Sequence, residues 1–306
     1  MDRLSRIAMI ISASRRTDIP SQFSDWFYNR IKAGFALVRN PFDRFQVSRV
    51  SLSPDVVDAI VFWTKNPAPM LARLGELKDY MYYFQFTITP YGGDVEPNLP
   101  PQEDEILPTF KRLSDAIGPD RVIWRYDPIL VNQKYPLDFH IGTFGKMAHE
   151  LRGYTKRATI SFIDVGYRMV KRNMRELKSI PPETQIELAS ELAEIARGNG
   201  MAIDTCAEKI DLQRFGVEYA RCIDDRLLEK LLGRSLHLGK DKAQRKDCGC
   251  ASSIDIGAYD TCKNGCLYCY ANLRRNKLDE NAAEHDPLSP LMLGDVCDGD
   301  RVTLRS

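Results

Sequence analysis

No stretch of this sequence approaches the roughly 20 consecutive apolar residues that span a bilayer, so no membrane partner is expected. A dominant charge is missing too. The net charge is +1 over 306 residues, and no global field points to nucleic acid or to a membrane surface. Neither G-x-G-x-x-G nor G-x-x-x-x-G-K-S/T occurs, which argues against a nucleotide-binding open sheet. Histidine is scarce: His140, His149, His237 and His285 are the only four, and none has ligand spacing. Serine, histidine and aspartate are too scattered to form a recognisable triad. There is no repeat of solenoid period and no low-complexity tract.

What remains is an ordinary globular composition, 43% hydrophobic and 28% charged. The start, MDRLSRIAMIISASRR, mimics a secretory signal, but its apolar part is short and two arginines follow at once. It reads as a buried strand in a cytoplasmic protein. The clustered cysteines among the eight are therefore expected to bind metal rather than to form disulfides, which a chain of this size does not need.

Along the chain, helix periodicity alternates with short apolar runs. A helix is expected at SPDVVDA, with Ser53 as N-cap and Pro54 behind it, leading into the strand IVFW. Asn66 and Pro67 repeat the device before MYYFQFTIT. Ile106, Phe110, Leu113 and Ile117 make one helical face, stopped by Gly118 and Pro119 before RVIWRYDPIL. Further helices are expected over PLDFHIGTFGKMAHELRGY and PPETQIELASELAEIARGNG, followed by the strands RATISFID and MAIDTC. About six such βα units imply a parallel sheet and a partial or full (β/α) TIM-like barrel. The expected organisation is a barrel body over 1–205, a cysteine-rich segment over 206–273 that completes it, and a polar, partly disordered tail over 274–306.

The densest chemistry lies in DTCKNGCLYCYAN, where Cys262, Cys266 and Cys269 form C-x3-C-x2-C. Soft thiolates favour zinc or iron–sulfur clusters, and Gly265 permits the sharp reversal that turns three sulfurs inward. Zinc would want a fourth ligand, and none lies within the loop.

This loop, with Tyr268 before its last cysteine, resembles the signature of the radical S-adenosylmethionine (SAM) superfamily. The resemblance implies a [4Fe-4S] cluster whose open iron binds SAM, reductive cleavage of SAM, and hydrogen abstraction from a substrate on a (β/α) barrel. It places Tyr268 near the adenine and implies an electron donor such as flavodoxin or ferredoxin. That family carries the loop after its first strand, whereas here it follows the last one. Circular permutation reconciles the two: SIDIGAYDTC would be the family's first strand and IAMIISASRR its second. The chain also resembles the prokaryotic domain-of-unknown-function family 1848, through ISASRRTDIP, FWTKNPAP, VIWRYDPIL and DIGAYDTC followed by GCLYCYAN.

Cys206, Cys222, Cys248 and Cys250 form a second group, suited to an auxiliary Fe–S cluster ahead of zinc; two buried cysteines plus a C-x-C loop is the plainer reading. Cys297 reads as a bystander. If the barrel holds, strand C-termini carry the site. They offer Ser12, Ser14, Arg15, Arg16, Thr17 and Asp18; Trp63, Thr64, Lys65 and Asn66; Gln85, Thr87 and Thr89; Arg125 and Asp127; Ser161 and Asp164; Asp204 and Glu208. Lys65, Arg125 and Asp127 are the candidate catalytic residues, with pairing of Arg125 to Asp127 as the plainer alternative. Arg15, Arg16, Thr87 and Tyr268 are the candidate cofactor-binding residues, and the arginine forks suit the SAM carboxylate. Arg168, Lys171, Arg172 and Arg175 could meet a phosphate-bearing or nucleic-acid substrate, although such a run is more often a solvated helix face. The favoured reading is a radical SAM-like Fe–S enzyme on a permuted barrel. Its alternative is a zinc- or Fe–S-stabilised binding or scaffold protein.

Overall fold

The computed structural model describes residues 8–245 and 247–305. Its strands are β1 (Met9–Ala13), β2 (Phe35–Asn40), β3 (Asp43–Ser51), β4 (Val57–Thr64), β5 (Tyr82–Thr87), β6 (Val122–Ile129), β7 (Arg157–Phe162), β8 (Ala202–Thr205), β9 (Val217–Tyr219), β10 (Ile254–Asp255) and β11 (Arg301–Arg305). Eight of them form one sheet in the order β10-β1-β4-β5-β6-β7-β8-β9, and every neighbouring pair is parallel. Among the described residues no ladder joins β9 to β10, so the sheet is open and a full barrel is not observed. The fold is α/β, with eight parallel strands where about six were expected. β10 lies within SIDIGAYDTC, expected as a strand, whereas β9, with three residues, is too short for sequence periodicity to register.

Strand side chains alternate between two faces. One face, including Ile11, Phe62, Phe84 and Trp124, packs under the helices in the main core. Rings stack across it: Phe62 on Phe84 at 4.6 Å, and Trp124 on Phe144 at 4.6 Å. The helices Leu107–Ile117, Leu137–Glu150 and Pro182–Gly198 fall where their apolar periodicity put them. The other face is apolar at Ile10, Val61, Tyr83 and Ile123, which lie beneath Cys222, Ile223 and Leu228. Two residues further along each strand that face becomes Ser12, Trp63, Gln85 and Arg125, so polar groups collect at the C-terminal ends.

Three local expectations are corrected. SPDVVDA is no helix: Val56 and Val57 donate to the Ser53 carbonyl at 3.0 and 2.9 Å, and β4 begins at Val57. The Asp58 carboxylate, which accepts from the Met9 N–H at 2.8 Å, ties that segment into the sheet instead. Residues 35–51 form the antiparallel hairpin β2–β3, which burial of Val47 and Val50 stabilises and which the helix–strand alternation hid. The tail is structured. β11 pairs in parallel with β3, and the Trp26 indole donates to the Ser289 carbonyl at 3.0 Å. Tertiary partners, not local composition, order it.

His140 supplies a stability prediction. It is fully buried, with Nε2 2.7 Å from the Leu130 carbonyl and Nδ1 3.0 Å from the Tyr126 hydroxyl. Neutral imidazole fits both if Nε2 donates and Nδ1 accepts. Burial lowers its pKa from 6.5 to about 4. A depressed folded pKa means that the unfolded chain binds the proton first. Stability from this group is therefore full above about pH 6.5 and falls as the pH drops toward 4, by up to about 3 kcal/mol. Urea unfolding between pH 7.5 and pH 4.5 should show this loss, and His140→Gln should remove that part of the slope.

Candidate functional site

The cysteine loop leaves β10 beside β1, because Ile254 pairs with Ile11 and Asp255 with Ser12. Asp255 holds the junction together. Its carboxylate accepts from Ser14 Oγ at 2.7 Å, from the Arg15 N–H at 2.8 Å, from Ser12 Oγ at 3.0 Å and from the Gly257 N–H at 3.0 Å. Position 257 must be glycine, since a Cβ there would lie 2.1 Å from Ser14 Oγ. Gly265 has a φ of +73°, which makes the reversal between Cys262 and Cys266 accessible.

The loop docks on the segment after β1. Gln22 accepts from the Lys263 N–H at 2.8 Å, donates to Asn264 Oδ1 at 2.8 Å and lies 3.5 Å from Cys262 Sγ. Asp18, buried at the first turn of the helix Ile19–Gln22, accepts from Asn264 Nδ2 at 3.2 Å and from the Lys65 N–H at 2.8 Å. Asn272 donates to the Cys262 carbonyl at 2.6 Å, and the Leu267 N–H to the Val95 carbonyl at 3.0 Å. Cys262 and Cys266 are buried and Cys269 half-buried.

Burial, then the charges of Asp18 and Cys269, push the Cys262 thiol up to about 12. Burial also pushes Cys266 well up; Lys65 opposes this, while Glu96, Cys269 and Cys262 add to it. The three sulfurs thus lie within one another's electrostatic reach. A cation bound there would have to displace protons.

Lys65, Tyr268 and one residue absent from the sequence reading, Glu96, form a unit. Lys65 Nζ is 2.8 Å from Glu96 Oε1 and 5.7 Å from the centre of the Tyr268 ring. Tyr268 donates its phenol proton to Glu96, and Thr89 Oγ1 donates at 2.7 Å. Burial opposes the Lys65 charge, but Glu96, with Cys266 and Asp127 nearby, holds its pKa above the ordinary lysine value. Glu96 sits in the loop GGDVEPNLP, between Val95 and Pro97, where an acid in irregular backbone gives no periodic signal. Only its burial, 3% exposed, marks it.

Arg125 and Asp127 are brought together, with Ser161 donating to the same carboxylate. Despite burial, Arg125 and then Ser161 hold Asp127 below the usual carboxylate range. Arg125 also donates to Gln85 Oε1 at 3.3 Å and to Cys222 Sγ at 3.0 Å. Arg15 and Arg125 flank the indole of Trp63, at 5.5 and 5.4 Å from its centre. Arg15 further contacts Asp241 at 3.2 Å. Arg16 is held more loosely, 3.9 Å from Asp255 and 3.4 Å from the Gly257 carbonyl. Thr87 stands half-buried at the end of β5. Asp204 is buried, which raises its carboxyl to about 6 against the pull of Arg157. On the rim, the exposed rings of Tyr167 and Tyr270 stack at 5.9 Å, beside the helix Arg168–Asn173 that carries Lys171 and Arg172.

The second cysteine group also converges. Cys206 Sγ is 3.3 Å from Cys222 Sγ, and both pack in one apolar cluster with Cys248 and Cys250. Cys297 is exposed. Among the described residues, no group of three or more His, Cys, Asp or Glu side chains is arranged to hold a metal ion as it stands. No helix among the described residues is long and apolar enough to cross a membrane.

No curated protein matches the chain. Among solved structures, a candidate alpha-L-fucosidase from Bacteroides thetaiotaomicron covers 75% of this chain and 85% of its own, at 11% identity and a TM-score of 0.29. A likeness that weak carries no argument about fold or activity. Residues 10–271 match the family model described as Domain of unknown function (DUF1848), nearly the whole span from β1 to the end of the cysteine loop, and the chain belongs to that family.

Proposed function

We propose that this protein is a radical SAM-type enzyme that holds a [4Fe-4S] cluster through Cys262, Cys266 and Cys269. The observation that carries the reading is the pairing of β10 with β1. The cysteine loop follows the edge strand of a parallel sheet and reaches the end where Lys65 and Asp127 lie, as a permuted barrel of this class requires. The residues fit the group: two buried thiols and a half-buried one share a single loop, and three soft ligands leave one iron open. When bound, the cluster supplies the electron for reductive cleavage of SAM, which leads to abstraction of a substrate hydrogen atom.

The chain's own residues do the positioning. Arg16, 3.9 Å from Asp255 and over the Tyr259 ring at 5.2 Å, presents a fork for the SAM carboxylate. Glu96 fixes the Tyr268 ring through the phenol, so the aromatic face beside Cys269 has one orientation. Lys65 keeps further N–H donors beyond the one used on Glu96. Asp127 stays ionised as an acceptor between Arg125 and Ser161. The packed inner face excludes water from reactive species. At the rim, the exposed Arg168, Lys171 and paired tyrosines would suit a phosphate-bearing substrate, nucleic acid included.

EPR spectroscopy of protein reconstituted without oxygen and reduced tests this directly. A reduced four-iron signal that shifts on adding SAM is expected. A protein that takes up no cluster, or a signal indifferent to SAM, overturns the reading.

A further inference from the structure

The structure assigns a second metal site to this chain: Cys206, Cys222, Cys248 and Cys250 bind one zinc ion as a four-thiolate tetrahedron. The thiols come from two pairs of segments that the backbone clamps together. Cys206 follows β8, its N–H bonded to the Ile160 carbonyl at 2.9 Å, and the Ala220 N–H reaches the Thr205 carbonyl at 2.9 Å. Those bonds bring Cys206 and Cys222 side by side. The Ala251 N–H donates to the Ile223 carbonyl at 3.0 Å, which lays the C-x-C loop against Cys222. Gly249 permits that approach, since a Cβ there would meet Arg221 Cγ at 3.2 Å and the Ala220 carbonyl at 3.4 Å. The Cys222 carbonyl is itself fixed by Tyr83 Oη at 2.6 Å and Gln85 Nε2 at 2.9 Å.

The sulfur spacing favours a single ion over a four-iron cluster. Cys206 Sγ and Cys222 Sγ stand 3.3 Å apart, and Cys248 and Cys250 lie in the same buried cluster. Four sulfurs at about 2.3 Å from one zinc lie roughly 3.8 Å from each other, so the observed pair need spread by only about half an ångström. In a four-iron cluster each thiolate binds a different iron with sulfide between, which sets the thiolates well farther apart. The one-residue spacing of Cys248 and Cys250 also suits two ligands on one ion.

The surroundings suit a site of net negative charge. Arg125 donates to Cys222 Sγ at 3.0 Å. Arg15 lies within electrostatic reach of Cys250 and Cys222, and its buried Nη2 has no hydrogen-bond partner. N–H donors of this kind stabilise thiolate ligands.

The assignment is independent of the radical chemistry, so it is tested in full-length protein carrying Cys262→Ala, Cys266→Ala and Cys269→Ala. Elemental analysis after anaerobic purification should find about one zinc per chain, no acid-labile sulfide, and at least a fivefold lower zinc content once Cys248→Ser and Cys250→Ser are added. Because that variant could fail to fold, cobalt(II) is also added to the apo form of the triple variant. Thiolate charge-transfer bands with the strong visible bands of tetrahedral cobalt are expected. Iron with sulfide at this group, absence of metal, six-coordinate cobalt, or a Cys206–Cys222 disulfide found by mass spectrometry would each overturn the assignment.

Discussion

Cys266→Ala, reconstituted without oxygen, is expected to hold less than a tenth of the iron of the parent, which should carry about four irons per chain. Cys266 is the most enclosed of the three loop thiols in electrostatic terms, facing Cys262, Cys269 and the Lys65–Glu96 pair. Removing it leaves two ligands, one of them half-buried, and an open cluster that loses iron. SAM cleavage under reductant should fall to background, at least a hundredfold. Because the loop is held by Gln22, Asn272 and Asp18 through groups other than the thiol, the variant should melt close to the apo parent. Iron analysis and chromatographic measurement of SAM cleavage check both halves. Retention of the parent's iron would sink the ligand assignment.

Glu96→Ala is expected to be the most destabilising single change at the site. Glu96 is the one acceptor shared by Lys65, Thr89 and Tyr268, and its side chain is 1% exposed. Its loss strands a buried ammonium and two hydroxyl donors, a change of about 3–5 kcal/mol. For a chain of this size that lowers the melting temperature by about 10 °C. Glu96→Gln keeps an acceptor but loses the charge and should fall between. In the Lys65→Met, Glu96→Leu double variant no charge is left unpaired, so part of the loss should return. A melting temperature unchanged by Glu96→Ala would mean that water, rather than the carboxylate, serves Lys65.

The site was legible in the sequence where its residues cluster. C-x3-C-x2-C, the arginines of SASRR and the WRYDP strand end all announced themselves by spacing or by following an apolar run. Glu96 and Asp255 did not. Each has partners far along the chain: Glu96 meets Tyr268 across 172 residues and Asp255 reaches Ser14 and Arg15 across about 240, and no local pattern marks such a contact. The expected helix at Ser53 failed for the opposite reason. Its serine and proline are good helix-start residues, but Asp58 is claimed by the Met9 N–H in the neighbouring strand.

By itself the sequence determined the long helices, the strands between them and the parallel α/β class, because alternation of helical period and apolar run is a local property. It also determined that three thiols would share one loop. Only the tertiary structure decided that, among the described residues, no ladder joins β9 to β10, and that Cys206 and Cys222 meet sulfur to sulfur. Those are contacts between segments whose separation along the chain carries no periodic trace, and they are set by which faces can be buried together.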